Sequence, residues 1–142
     1  MFRRILVPVD FTPKSARAVR AAARVAASAK AAKATTTLLH VIERVDDGDP
    51  AAFQAFYRKL ESSAREKLLG LAAELAKKSL PVKTAVVYGN RVGEILRFAG
   101  ASAADLIVMS SHRLPLRPRG HDWGTISYKV GVLSRCPVLL VK

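Results

Sequence analysis

The sequence is short of residues that mark several classes of protein. Its single cysteine, Cys136, excludes an internal disulfide framework and fits a reducing compartment. No apolar run approaches the ~18–20 residues of a membrane span, and the first residues enter a strand-like segment without a signal-peptide pattern. These features predict a cytoplasmic protein that makes no membrane contact and holds Cys136 in or near its core.

Acidic residues are also scarce, with 11 Asp and Glu against 24 Lys and Arg and a net charge of +13. Such an excess is typical of nucleic-acid-binding proteins. The basic residues are scattered, however, and no basic strand carries the interleaved aromatics that stack on bases. Arg17, Arg20 and Arg24 follow helical spacing, which predicts a solvated helix face. The sequence disfavours specific nucleic-acid binding and predicts weak, salt-sensitive contact instead.

What the chain does have is a regular alternation of strand and helix patterns over a single domain, residues 1–142. The predicted strands are Arg4–Val9, Thr35–Ile42, Lys83–Tyr88, Leu106–Ser110 and Val138–Val141. The predicted helices are Lys14–Lys30 (started by Thr12-Pro13), Ala51–Leu80, Val92–Phe98 and Thr125–Ser134. The sequence predicts that Pro81 closes the second helix and that Gly100 caps the third in a left-handed conformation.

Two of these helices show apolar faces. In the first, the inner face is predicted to be Val19, Ala22, Ala23 and Ala26. In the second, three- and four-residue steps give one apolar stripe of Phe53, Phe56, Tyr57, Leu60, Ala64, Leu68, Leu71 and Leu75. The segment Asp46–Pro50 before it has the composition of a loop.

Five strands alternating with four helices predict an α/β fold, doubly wound on a five-stranded parallel sheet with helices on both faces. The short runs Leu106–Met109 and Val138–Val141 suit strands buried on both faces. Val138–Val141 ends the chain and is expected at a sheet edge, where pairing with a second copy would form a homodimer.

Ligands of such folds bind at the carboxyl ends of the strands. The candidates there are Asp10, Val41 with Glu43, Tyr88, and the run from Met109 to Arg113. After the fourth strand, a loop of small and basic residues leads to Gly124-Thr125 at a predicted helix start. A strand–loop–helix start presents free backbone N–H groups, which typically bind a phosphate.

Several segments together resemble the universal stress protein family over the whole chain. The matching segments are Arg4–Asp10, Leu38–Ile42, Gly89-Asn90, Asp105–Met109 with Ser111-His112, and Cys136–Val141. The resemblance implies a Rossmann-like fold of the adenine nucleotide alpha hydrolase type, a stress-response regulatory role, and dimerisation through the final strand.

The resemblance also implies a ligand, ATP or a related adenine nucleotide, with Mg²⁺ present only alongside it. By resemblance, Asp10 faces the ribose and adenine, Val41 offers backbone hydrogen bonds to adenine, and Gly124-Thr125 hold phosphate. The implied nucleotide-binding residues are Pro8, Val9, Asp10, Val41, Met109, Ser110, Ser111, His112, Arg113, Gly124, Thr125 and Ile126.

The phosphate loop departs from the family's ATP-binding pattern of Gly, two residues, Gly, nine residues, then Gly with Ser or Thr. Ser110 and Arg113 replace the two leading glycines, and the last spacer, from Arg113 to Gly124, is one residue longer. A large side chain at 113 would crowd a backbone cradle. A clamp of cationic or donor side chains could replace that cradle, formed by Arg113, Arg117, Arg119 and His121. Three alternatives stay open: an altered nucleotide site, the same fold acting only through protein contacts, or, as the overall charge would favour, a basic nucleic-acid-associated protein.

Catalysis has less support in the sequence. Asp10, His112 and Ser110 or Ser111 would supply a hydrolytic triad, but no Gly-x-Ser-x-Gly elbow surrounds either serine. The three histidines lack Cys or Glu partners at metal-ligand spacing. Without a Walker Lys-Ser/Thr motif, any ATP hydrolysis is expected to be slow and incidental. The sequence therefore predicts a binding module rather than an enzyme.

Overall fold

Strands and helices alternate in the computed structural model, which describes residues 2–29, 34–44, 50–111, 116–117 and 125–142 (only the backbone for 50–52). The strands are β1 (Arg4–Pro8), β2 (Thr35–Ile42), β3 (Val82–Tyr88), β4 (Leu106–Ser110) and β5 (Val138–Val141). The helices are α1 (Pro13–Ser28), α2 (Pro50–Ala76), α3 (Arg91–Ala101) and α4 (Ile126–Leu133). The element order predicted from the sequence is confirmed.

The five strands form one parallel sheet in the order β3-β2-β1-β4-β5. α1 and α2 cover one face, where Leu68 and Leu75 pack with Val7 and Leu38. α3 and α4 cover the other face, where Ile95 and Val130 pack with strand residues. This arrangement confirms the predicted doubly wound fold, and its winding reverses between β1 and β4, the place where such folds bind ligands.

The small residues of α1 let that helix lie close to the sheet. Its predicted inner face is buried, and Ala18, which lies on the same side, is buried completely. Arg17, Arg20 and Arg24 are exposed, as their spacing predicts. Thr12 is the N-cap, since its side chain accepts a hydrogen bond from the Ser15 N–H.

The ends of two helices differ from the prediction. α2 stops at Ala76 rather than Leu80, because Ser79 turns left-handed at φ 56° and the Leu80 N–H bonds back to the Leu75 carbonyl at 3.1 Å. α3 continues through Gly100, so the predicted glycine cap is wrong. Its left-handed residue is Ala103, at φ 52°, and the Ala104 N–H bonds to the Ala99 carbonyl at 2.9 Å. Both ends are Schellman motifs without the usual glycine.

Two separate substitutions at the end of α3, Ala103→Gly and Gly100→Ala, should each raise the free energy of unfolding. Ala103→Gly removes the left-handed strain and Gly100→Ala lowers the entropy of the unfolded chain, each by about 0.5–1 kcal/mol. A Cβ at Gly100 meets no atom within 4 Å. Denaturant unfolding checks both variants, and destabilisation by Gly100→Ala would show instead that position 100 is the cap.

Two predicted burial patterns hold only in part. Leu106–Met109 is buried on both faces, but β5 is only partly buried and Leu139 is 40% exposed, because β5 lies at the sheet edge. In α2 the stripe is buried at Ala64, Leu68 and Leu75 and partly buried at Leu71, whereas Phe56 and Leu60 are exposed. A 27-residue helix is about 40 Å long, so it extends beyond a seven-residue strand of about 23 Å.

Smaller differences concern single residues. Val9 lies just beyond β1, although its N–H still bonds the Leu39 carbonyl at 2.8 Å. Pro50 begins α2 rather than ending a loop, and 46–49 lie outside the described residues. Cys136 packs, partly buried, beside the α3–α4 core, as predicted.

Over the described ranges, no helix combines the length and apolarity needed to cross a membrane.

Candidate functional site

A cavity of about 740 Å³ opens at the carboxyl edge of the sheet, beside the reversal between β1 and β4. Its volume falls in the range of small-molecule sites. Eight of the residues implied by sequence line it: Pro8, Val9, Asp10, Val41, Met109, Ser110, Thr125 and Ile126. The fold therefore brings residues from β1, β2, β4 and the start of α4 to one place.

Of the four other implied residues, the structure describes one, Ser111. Ser111 lies next to the cavity, where its hydroxyl accepts a hydrogen bond from Ser127 at 3.4 Å and its N–H donates to the Val141 carbonyl at 2.9 Å. His112, Arg113 and Gly124 lie outside the described residues.

Asp10 is the acidic group of the cavity and is fixed by the turn that follows β1. Its Oδ1 accepts hydrogen bonds from the Thr12 N–H at 3.0 Å, the Thr12 hydroxyl at 2.6 Å and the Ser15 hydroxyl. Partial burial alone would raise the pKa of Asp10, but the bonds from Ser15 and Thr12 outweigh it and hold the pKa below its usual 3.8. Asp10 is therefore ionised at neutral pH.

The turn after Asp10 contains an unusual backbone conformation. Phe11 has φ 64°, in the left-handed region that bulky residues rarely adopt. Its ring packs on the His40 imidazole with centroids 4.4 Å apart, and the Lys67 ammonium lies 5.3 Å from the ring centroid. These contacts stabilise the strained turn and fix one side of the cavity.

His40 lines the cavity in a defined protonation state. Its Nδ1 lies 2.8 Å from the Val9 carbonyl oxygen. Because a carbonyl only accepts hydrogen bonds, Nδ1 must carry the proton. Burial lowers the pKa of His40 below its usual 6.5, with a further contribution from the Arg91 charge, and these effects outweigh the Val9 bond and the Asp10 charge. At neutral pH the imidazole is uncharged.

We expect the pKa of His40 in an NMR titration to lie below 6.5, with the proton of the neutral ring on Nδ1. Since the unfolded chain takes up this proton first, acidification from 6.5 toward the folded pKa should lower the unfolding free energy. His40→Gln should flatten that part of the stability profile. A folded pKa above 6.5 would contradict this assignment.

The other charged side chains in the described lining of the cavity are cationic. Lys14 and Arg17 reach it from the first two turns of α1, and Arg91 from the first residue of α3. Arg91 also donates its N–H to the Glu43 carboxylate at 3.2 Å. The described lining thus carries three cations and one carboxylate, a balance that favours an anionic ligand.

The start of α4 supplies polar groups on the β4 side. Thr125 caps the helix, with its hydroxyl accepting a hydrogen bond from the Tyr128 N–H at 3.3 Å. Ser127 follows it, nearly buried, and also lines the cavity. The N–H groups in the first turn of a helix have no partner within the helix and favour anions.

Sequence reasoning missed ten lining residues: Thr12, Pro13, Lys14, Ser15, Arg17, Leu39, His40, Arg91, Ile95 and Ser127. Most belong to helices whose first turns face the carboxyl edge, a consequence of the connection after each parallel strand. The available signal was position, since a basic residue in the first turns after β1 or β3 must lie near that edge.

Two candidates from the strand ends point elsewhere. The Tyr88 hydroxyl donates to Glu61 at 2.7 Å, and its ring lies 4.4 Å from the Arg44 guanidinium carbon. Glu43 binds the start of α3. Among the described residues, no group of three His, Cys, Asp or Glu side chains is arranged to hold a metal ion. The hydrolytic triad depends on His112, which is outside those residues.

Comparison with known proteins gives a consistent result. A family model described as the universal stress protein family matches residues 1–142. Universal stress protein YxiE from Bacillus subtilis (strain 168) is 30% identical over 152 residues, with 100% of both chains covered.

Solved structures show the same fold. Hypothetical protein MJ0577 matches with a TM-score of 0.80 at 27% identity, covering 100% of this chain and 96% of its own. Universal stress protein UspA from Lactobacillus plantarum matches with a TM-score of 0.81 at 23% identity, covering 99% and 98%. Two more distant matches are complexes: a universal stress protein with cAMP (TM-score 0.67, 22% identity, 99% and 96% covered) and one from Archaeoglobus fulgidus with dAMP (TM-score 0.69, 16% identity, 100% and 98% covered).

Proposed function

The chain belongs to the universal stress protein family, and from this premise we propose that it binds ATP or a related adenine nucleotide in the carboxyl-edge cavity. The observation that carries the proposal is the combination of groups in that cavity. Apolar side chains, one ionised carboxylate and three cations lie together, as a ligand with a flat base, a ribose and phosphates would need.

The part of the cavity formed by the strand ends and α3 suits the base and the ribose. Val41 and Met109 are nearly buried, and Ile95 lines the α3 side. A planar base bound there would move out of water and pack against apolar side chains. Asp10 keeps Oδ2 outside the turn's own hydrogen bonds, which leaves an acceptor for ribose hydroxyls.

The α1 and α4 sides suit the phosphates. Lys14 and Arg17 supply cationic groups there, and the start of α4 at Thr125 and Ser127 supplies hydroxyls and helix N–H groups. Mg²⁺ would enter only with the nucleotide, because the described lining has Asp10 as its sole carboxylate. The solved relatives bound to cAMP and dAMP support an adenine nucleotide as the ligand class.

The biological role that we propose is regulatory binding in the cytoplasm by a single-domain protein. Any ATP hydrolysis would be slow and incidental, since the sequence has no Walker Lys-Ser/Thr motif and the described lining offers one carboxylate rather than an acidic pair for Mg²⁺. The alternative, a fold that acts only through protein contacts, is favoured by Arg113 and the longer spacer to Gly124.

We also propose a homodimer through β5. Among the described residues, β4 is the one strand that pairs with β5, which leaves the outer edge of β5 with backbone groups for a second copy. The neighbouring surface is apolar, with Leu139 40%, Val132 63% and Leu133 60% exposed. Antiparallel pairing of two β5 strands about a two-fold axis would cover this surface.

Asp10→Ala should weaken ATP binding about tenfold, because it removes a ribose acceptor and releases the turn that Thr12 and Ser15 close on the carboxylate. Asp10→Asn is the matched control, since its oxygen still accepts those bonds, and its loss should be smaller. Titration calorimetry measures both. An Asp10→Ala variant that binds ATP as tightly as the parent would place the nucleotide elsewhere.

A further inference from the structure

A second cavity, of about 460 Å³, lies at the opposite, amino edge of the sheet. The first residues of β1, β2 and β3 form its floor, and the end of α3 forms one wall. The length of the strands, about 17–20 Å, separates it from the carboxyl-edge cavity.

Strand register collects polar side chains on one face of this cavity. Arg4 pairs with Thr35, and Thr37 pairs with Lys83. Paired residues share a face, and Leu6, two residues after Arg4, packs against the α3 side. Neighbouring strands are about 5 Å apart, and residues two apart along one strand are about 7 Å apart. Arg4 and Lys83 therefore lie on either side of the Thr35 and Thr37 hydroxyls, close enough for one small ligand to contact all four side chains.

No carboxylate of the described lining neutralises the cations at this edge. The Arg4 Nε donates to the Ala103 carbonyl at 2.8 Å, which anchors the guanidinium beside the end of α3. The carboxylate of Asp105, the residue before β4, accepts hydrogen bonds from the backbone N–H groups of Arg3 and Arg4 at 2.8 and 2.9 Å. The described lining carries Arg3, Arg4 and Lys83 and no Asp or Glu.

Apolar groups complete the cavity. The Phe98 side chain on α3 and Ala85 on β3 also line the cavity. An anion alone would leave this surface in water, whereas an organic ligand would cover it. Phe98 is only partly buried, so its ring has area left to contribute.

We propose that this cavity binds a phosphate monoester of a small organic molecule. The planar guanidinium of Arg4 can donate hydrogen bonds to two phosphate oxygens, and Lys83 supplies a second cation. The hydroxyls of Thr35 and Thr37 supply further hydrogen-bond donors. Phe98 and Ala85 contact the organic part. The site is separate from the adenine-nucleotide cavity in position and in residues.

The test is a titration of ¹⁵N-labelled protein with phenyl phosphate and, separately, with inorganic phosphate, read by amide chemical shifts. The amides of Thr35, Thr37 and Ala85 should shift and saturate, with phenyl phosphate binding more tightly than phosphate. Lys83→Glu should weaken this binding about tenfold, since it places a negative charge beside the phosphate. Lys59→Glu makes the same charge change at an exposed residue on α2 and should leave the affinity unchanged.

Each contrary outcome would overturn a stated part of the proposal. If the amide chemical shifts at the amino edge did not change, or changed without saturating, the cavity would not be a binding site. Equal weakening by both variants would show attraction to net charge rather than a site. If inorganic phosphate bound as tightly as phenyl phosphate, the ligand would be the free ion rather than a monoester. These amides belong to the other edge of the sheet, so the result does not depend on ATP binding.

Discussion

Arg17→Glu is expected to lower ATP affinity about tenfold, because it reverses one of the two cations that α1 directs to the phosphate side of the carboxyl-edge cavity. Arg20→Glu makes the same change in net charge on the same helix but lies outside the cavity lining. Its affinity for ATP should stay close to that of the parent. Titration calorimetry at physiological salt measures both variants.

Adenosine separates the phosphate contribution from the rest. It carries no phosphate, so its weaker binding should be the same for the parent and for Arg17→Glu. If Arg17→Glu and Arg20→Glu weakened ATP equally, the effect would come from overall charge. If Arg17→Glu weakened adenosine and ATP alike, Arg17 would act on the shape of the cavity instead.

Leu139→Lys is expected to convert a dimer into a monomer at tens of micromolar. Leu139 is the most exposed residue of β5, and a two-fold axis beside this strand would bring two lysines close together. Like charges on a newly buried surface cost several kcal/mol. Leu140 packs into the α3–α4 core, so a lysine there would unfold the protein rather than test the interface.

Leu69→Lys is the control, since Leu69 is 63% exposed on α2, on the other side of the sheet from α4. It should leave the dimer intact while making the same substitution. Light scattering distinguishes the two states. A monomeric parent protein, or a dimer that survives Leu139→Lys, would refute pairing through β5.

The order of elements and the fold class could be predicted from sequence because each buried strand has a short apolar run between turn residues. Leu106–Met109 is an example, and all four of its residues are buried. N-terminal helix ends were equally readable, since Thr12 carries its own capping oxygen.

Helix C-termini were less predictable. Gly100 is the expected cap residue, yet the helix runs on and Ala103 takes the left-handed conformation. The hydrogen bond from the Ala104 N–H to the Ala99 carbonyl and the start of β4 at Leu106 fix the path of the chain there. Tertiary placement therefore outweighs a local preference worth about 1 kcal/mol.

The candidate site was predictable where it follows strands and not where it follows helices. Asp10, Val41 and Met109 come at or near strand ends, so their position at the carboxyl edge was evident. Arg17 and Arg91 reach the same cavity from helices, and Arg17 was assigned to a solvated face by its spacing. It is exposed and also lines the cavity, a combination that spacing alone cannot reveal.

The most direct test of the central claim is titration calorimetry of the unmodified protein with ATP and Mg²⁺ at physiological salt. Binding in the carboxyl-edge cavity predicts a saturable isotherm with one nucleotide per chain and a dissociation constant of about 1–100 μM, or about −8 to −5.5 kcal/mol. The absence of measurable binding at millimolar ATP would contradict it and favour the fold acting through protein contacts alone.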